Sequence, residues 1–182
     1  VLYRDLLEPN LPGVVAIHLA VRGLLGPSTE AMRLFDLLML SVTIVLAVTI
    51  LRRLGGSWRV GLWTAFGLAA CHLSVSEWCH CQRDGWLLVP ALGALLLSLD
   101  SLIYRTDRST TFAGGIAFAE GLLWGAGVWL KPYIAVPAAM VWMISLRFQP
   151  TCRRGVVEAV AVFAGGVTIG LAGIAAMAAT GC

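Results

Sequence analysis

Residues 112–147 read FAGGIAFAEGLLWGAGVWLKPYIAVPAAMVWMISLR, and the way this run must fold decides the architecture. As one helix it would be about 54 Å long at 1.5 Å per residue, against a hydrocarbon layer about 30 Å thick. It therefore has to turn back on itself. Lys131-Pro132 is where it does so, because proline lacks the donor that a continuing helix needs and suits the first turn of a new one. The reading is two antiparallel helices, 112–130 and 132–147, whose shared tip carries the only lysine of the chain.

The rest of the chain has the same character. Hydrophobic residues make up 59% of the 182, charged residues 13%, and mean hydropathy is +0.85. A soluble domain carries about 25% charged residues, so water could not be the solvent of this surface. Six stretches are long and apolar enough to span, or nearly so: 34–51, 60–78, 86–104, 112–130, 132–147 and 155–178. The expected fold is all-α: a polytopic membrane bundle of about six transmembrane helices, preceded by an external loop with an interfacial helix. Residues 1–30 form that loop and helix and 31–182 the bundle, in a single domain. With no methionine or leader at Val1, a fragment of a larger protein is expected.

Orientation follows from the arginines. Eight of the thirteen positive residues, Arg52, Arg53, Arg59, Arg105, Arg108, Arg147, Arg153 and Arg154, fall in loops after alternate spans. The positive-inside rule puts those loops in the cytoplasm. The acidic opening, residues 77–84 and Lys131 then share the outer side.

The opening, Tyr3-Arg4-Asp5-Leu6-Leu7-Glu8-Pro9-Asn10-Leu11-Pro12-Gly13, brings two carboxylates to the membrane surface. Residues 14–25 are too short to cross and suit a surface helix, with His18 and Arg22 on an upward face. Ser28 or Thr29 is placed to cap the first span. Within that span, Arg33 and Asp36 are spaced to pair. Glu120 sits mid-span with no local partner in sequence, and an intramembrane carboxylate is costly enough to face the bundle interior. Asp100 and Glu158, near the cytoplasmic ends, are expected to snorkel. Gly114-Gly115, Gly121, Gly125, Gly127, and Gly166 with Gly170 offer small faces for close helix packing.

A second polar cluster, Glu77-Trp78-Cys79-His80-Cys81-Gln82-Arg83-Asp84-Gly85-Trp86, admits three readings. Cys-His-Cys suggests a metal, but no second ligand pair accompanies it. Interfacial tryptophans explain Trp78 and Trp86 but not Arg83 beside Asp84. An anion-gripping turn explains both, with Arg83 on a phosphate and Asp84 fixing it or the substrate. Lys131, in Trp129-Leu130-Lys131-Pro132-Tyr133, is either a snorkelling lysine or a cation aimed at a lipid phosphate.

Taken in order, Tyr3-Arg4-Asp5, Pro9-Asn10-Leu11-Pro12, Leu25-Gly26 and Ala31-Met32-Arg33-Leu34-Phe35-Asp36 resemble the amino-terminal part of lipid-linked glycosyltransferases of the C superfold. The protein O-mannosyltransferase, aminoarabinose transferase and rhizobial lipopolysaccharide transferase group is the most similar. Gln82-Arg83-Asp84 resembles that group's Arg-x-Asp-like element loosely, and Gly121 to Lys131-Pro132 its glycine-rich helix ending in lysine and a breaker. The helix that should precede the acidic loop, the later helices and an external carboxy-terminal domain are not in the chain.

The resemblance implies an inverting transfer of a sugar from a polyprenyl-phosphate donor to a glycan, lipid or protein acceptor on the outer face of the plasma (inner) membrane. Asp5 or Glu8 serves as general base. Asp84 orients the site, and Arg83 and Lys131 neutralise the phosphate. Arg4, Glu77 and His80 stand beside them as substrate-binding candidates. No metal ligands are assigned, although the chemistry leaves room for a divalent ion, and no nucleic-acid partner is expected. A rival reading is a transporter or lipid-carrier scaffold using Glu120 and the broken hairpin.

Overall fold

The computed structural model describes residues 12–74, 83–103, 110–148 and 151–180, and all regular structure among them is helical. Helix α1 (Pro12–Leu25) opens on a proline, whose missing N–H is no loss in a first turn. It ends at Gly26, where φ is +95°, a conformation cheap only for glycine. Ser28 then caps α2 (Thr29–Arg53), its hydroxyl accepting from the Ala31 N–H at 3.1 Å. A tight turn at Gly55 (φ +86°) leads into α3 (Trp58–Ser74). One turn of helix, α4 (Arg83–Trp86), precedes α5 (Leu88–Ile103).

Helix α6 (Thr110–Leu130) stops where the length argument requires. Lys131 is extended (φ −151°, ψ 126°), and a 3₁₀ turn, Pro132–Ile134, starts the return helix α7 (Ala135–Arg147). Last comes α8 (Cys152–Thr180).

Each of the six apolar runs thus contains a helix, but the helices are unequal. Among the described residues α2, α6 and α8 are long and apolar enough to cross a membrane. Helices α3, α5 and α7 have 17, 16 and 13 residues. The described parts of α3 and α5 stop where the described residues stop, at 74 and 103, and α7 continues the 3₁₀ turn Pro132–Ile134, so that 132–147 is helical throughout. Large apolar side chains stand outward, with Trp63 73% and Phe163 74% exposed alongside Leu34, Leu171 and Ile174. A surface of this kind belongs in lipid.

Packing inside the bundle follows side-chain size. The broadest helix pair is α6 with α8. Gly121 lies against the Val162 backbone and Gly165 against the Phe118 backbone, and Gly125 faces Gly166. Removing the side chains lets two backbones touch, which is how helices associate where no hydrophobic effect operates. Gly115 and Gly170, expected to share this role, have nothing within 4 Å of a notional Cβ. They face away from the contact.

Two polar expectations also change. Glu158 is buried rather than snorkelling, held by the Arg154 Nε at 2.8 Å one turn earlier. Glu120 does have a local partner: the Trp124 indole N–H donates to it at 3.2 Å. In both cases a residue four positions away on the same helix supplies the compensation a buried carboxylate needs.

The α6–α8 contact yields a clear expectation. Gly121→Leu should overpack two touching backbones and cost roughly 1–3 kcal/mol or more, whereas Gly170→Leu should stay within about 0.5 kcal/mol. Unfolding of the purified protein in detergent against temperature or SDS measures the difference.

Candidate functional site

One end of the bundle gathers the amino terminus of α2, the short α4, the carboxy terminus of α6, and α1 laid across them. Helix α1 turns Val14, His18 and Val21 inward. His18 is therefore not on an upward polar face with Arg22. Its ring packs against Trp86 at 5.6 Å between centroids, while Arg22 is exposed. Gly13 meets the Trp129 backbone so closely that a Cβ would not fit, which seats the start of α1 on the end of α6.

Beneath α1 lies an open groove of about 720 Å³. Its walls come from α1 (Val15, Leu19), α5 (Val89, Pro90), α6 (Leu123, Ala126, Trp129) and α8 (Ile169, Gly173, Met177), with Trp86 beside them. Small-molecule sites run roughly 300–1,000 Å³, so this space can take a ligand. Its lining is almost wholly apolar, which selects a hydrocarbon ligand. Trp129 shapes one wall by lying flat on Gly173, where any side chain would collide with the indole.

Polar groups stand close in sequence to the groove's lining residues without lining it themselves. Lys131 follows the lining residue Leu130, and Asp84 precedes the lining residue Trp86 by two positions. Lys131 forms an ion pair with Asp84. The Tyr133 hydroxyl donates to the same carboxylate oxygen at 3.0 Å, and the Tyr133 ring lies 5.4 Å from the lysine nitrogen. The Asp84 side chain is 48% exposed and Lys131 18%. With its carboxylate half in solvent, the pair is partly screened by water. It orients two groups without committing them, and an arriving anion can take the lysine over.

A buried anchor lies below. The Trp86 indole N–H donates to Asp36 at 2.8 Å, the other oxygen of Asp36 is 3.3 Å from His72, and Phe35 meets the indole edge-on at 5.2 Å. The spacing of Arg33 and Asp36 suggested a pair, but Arg33 is exposed and Asp36 turns to α3 and α4.

No family model matches this chain, and neither a curated protein nor a solved structure is similar to it. What the site can do rests on its own geometry.

Of the residues singled out from sequence, Asp84 and Lys131 are brought together. Arg83 opens α4 next to them, its side chain lying outside the described residues, as do Arg4, Asp5, Glu8, Glu77 and His80. Sequence reasoning missed Tyr133, Trp86 and Asp36. Tyr133 was legible as the polar group two positions past the forced break. The pairing of Asp36 with Trp86 joins residues 50 positions apart and left no local signal. Among the described residues there is no group of three or more metal-ligating side chains.

If the groove receives a hydrocarbon chain, filling it should exclude that chain. Ala126→Trp is expected to lower the share of purified protein that carries a bound lipid. Native mass spectrometry from mild detergent reads that share directly, with Gly170→Leu as a control outside the groove.

Proposed function

We propose that this chain is the donor-binding membrane portion of a glycosyltransferase that takes its sugar from a polyprenyl phosphate. The single observation that carries the reading is the apolar groove under α1, with the chain's only lysine one residue past its lining residue Leu130. A polyprenyl phosphate is a long hydrocarbon ending in an anion, and this site has a matching apolar length and cationic end. The partly screened Asp84–Lys131 pair suits exchange, because phosphate oxygens replace a half-solvated carboxylate on the ammonium.

In this proposal the lipid phosphate lies against Lys131, with Arg83 as second cation, and the sugar projects from the groove edge. An acceptor hydroxyl or amine attacks the anomeric carbon from the face opposite the phosphate. Its proton passes to the carboxylate of Asp5 or Glu8 as the bond to the phosphate oxygen breaks. Charge then develops on that oxygen, where Lys131 stabilises it. Asp84, tied to Lys131 and Tyr133, orients the lysine. The six runs cross or dip into the plasma membrane in alternation, with the opening, residues 77–85 and Lys131 outside. A divalent ion is compatible with this chemistry and is not needed by it.

A transporter is the second reading, and the polar lining around Glu120 is the feature it would use. Ser98, Glu120, Ser145 and Glu158 line a space of about 20 Å³ toward the other end of the bundle, and the Ser98 and Ser145 hydroxyls lie 3.0 Å apart. That volume suits roughly one water molecule, far less than a transported solute.

The two readings part on one substitution. In the intact protein carrying this chain, Lys131→Ala should raise KM for the lipid donor about tenfold or more and leave acceptor KM nearly unchanged. Asp5→Asn should abolish transfer with donor binding retained. If Glu8→Gln does so instead, Glu8 is the base. Full turnover in both variants would refute the mechanism. Impermeant labelling of single cysteines should reach position 10 and not position 56 in intact cells, and the reverse would overturn the orientation.

A further inference from the structure

We infer that Asp36, deep in α2, is a positioning residue for the Asp84–Lys131 pair, acting through the indole of Trp86. The inference rests on reading the groove edge as the phosphate site, but its test does not need a ligand.

Helix α4 carries both Asp84 and Trp86. It is a four-residue helix, far below the length of about 12–15 residues at which a helix holds itself together in water. Its placement comes from α5, which begins two residues after Trp86, and from contacts made by its own side chains. At one end the half-exposed Asp84 meets Lys131 and Tyr133, a contact partly screened by water. At the other end Trp86 is 2% exposed, and its only polar atom donates to Asp36, itself 6% exposed. Buried and charge-assisted, this hydrogen bond belongs to the stronger class. Asp36 is in turn fixed by His72 of α3 at 3.3 Å, while Phe35 and His18 clamp the indole from α2 and α1.

These contacts connect in series. Helices α2 and α3 hold Asp36, Asp36 holds Trp86, and Trp86 lies two residues from Asp84, which meets the lysine on α6's far end. Trp86 also borders the groove, so the same bond links the apolar channel to the pair. Three substitutions separate this role from plain support of the fold. Asp36→Leu removes the acceptor. Trp86→Phe keeps most of the ring and removes the donor. Asp36→Asn keeps an oxygen for the indole and can turn its amide toward His72.

Because Lys131 is the only lysine, its acylation by an amine-reactive reagent reports directly on whether Asp84 holds it. Peptide mass spectrometry separates that product from the labelled amino terminus. Asp84→Asn sets the rate for a released lysine. We expect Asp36→Leu and Trp86→Phe to raise the labelling rate several-fold toward that limit, the double variant to add nothing further, and Asp36→Asn to stay near the parent. If Asp36→Leu does not fold, Trp86→Phe carries the test. Unchanged labelling in the folded variants while Asp84→Asn raises it would overturn the inference, as would Asp36→Asn behaving like Trp86→Phe. Loss of lipid binding in the parent protein would instead count against the proposed function and leave this result standing.

Discussion

Hydrocarbon offers no hydrogen bonds, so each backbone N–H and C=O inside it must be satisfied within the chain. The architecture follows from that constraint combined with a layer about 30 Å thick. A run as long as 112–147 has to break, and it breaks at Lys131-Pro132, the one place where its sequence provides both a proline and a charge. The break then has a chemical consequence. It leaves a lysine at the end of a buried helix, within reach of Asp84 and Tyr133. A feature imposed by backbone satisfaction sets a cation one residue past the lining of an apolar groove.

The polar contacts divide by burial into two kinds with different purposes. Asp36 with Trp86 and His72 is enclosed, and removing one partner of a buried charge typically costs about 3–5 kcal/mol. Such an arrangement fixes geometry. In the Asp84–Lys131 pair the lysine is as covered as His72, but Asp84 is half exposed and so held less firmly than Asp36. An arrangement of that kind is free to exchange partners. The proposed site sets the second kind on top of the first, so that an exchangeable pair is presented by a rigid support. Glu120 with Trp124 and Glu158 with Arg154 are of the enclosed kind, but serve the opposite half of the bundle.

Local features were legible in the sequence. The hairpin tip, the Ser28 cap, the glycine stop at Gly26 and the positions of the helices all follow from residues within a few positions of one another. Long-range partners were not. Periodicity could place Asp36 and Trp86 near the same end, but nothing local says that an indole N–H will reach a carboxylate 50 residues away. The glycines show the same limit: Gly121 and Gly170 look equivalent in sequence, yet only the first meets a neighbouring backbone. His18 turned inward because the inward stripe of α1 includes it along with Val14 and Val21, whereas its polarity had suggested the opposite face.

The central claim is that the groove beneath α1 takes a polyprenyl chain with its phosphate at Lys131. Photocrosslinking locates such a ligand without relying on turnover. A polyprenyl phosphate carrying a photoreactive group partway along its chain, added to the protein in nanodiscs, would be irradiated and the modified peptides mapped. The account predicts attachment within 123–130 of α6 and 169–177 of α8, suppressed by excess unlabelled polyprenyl phosphate. Attachment confined to the outward faces of α3 and α8, around Trp63 and Phe163, and indifferent to competitor, would contradict it.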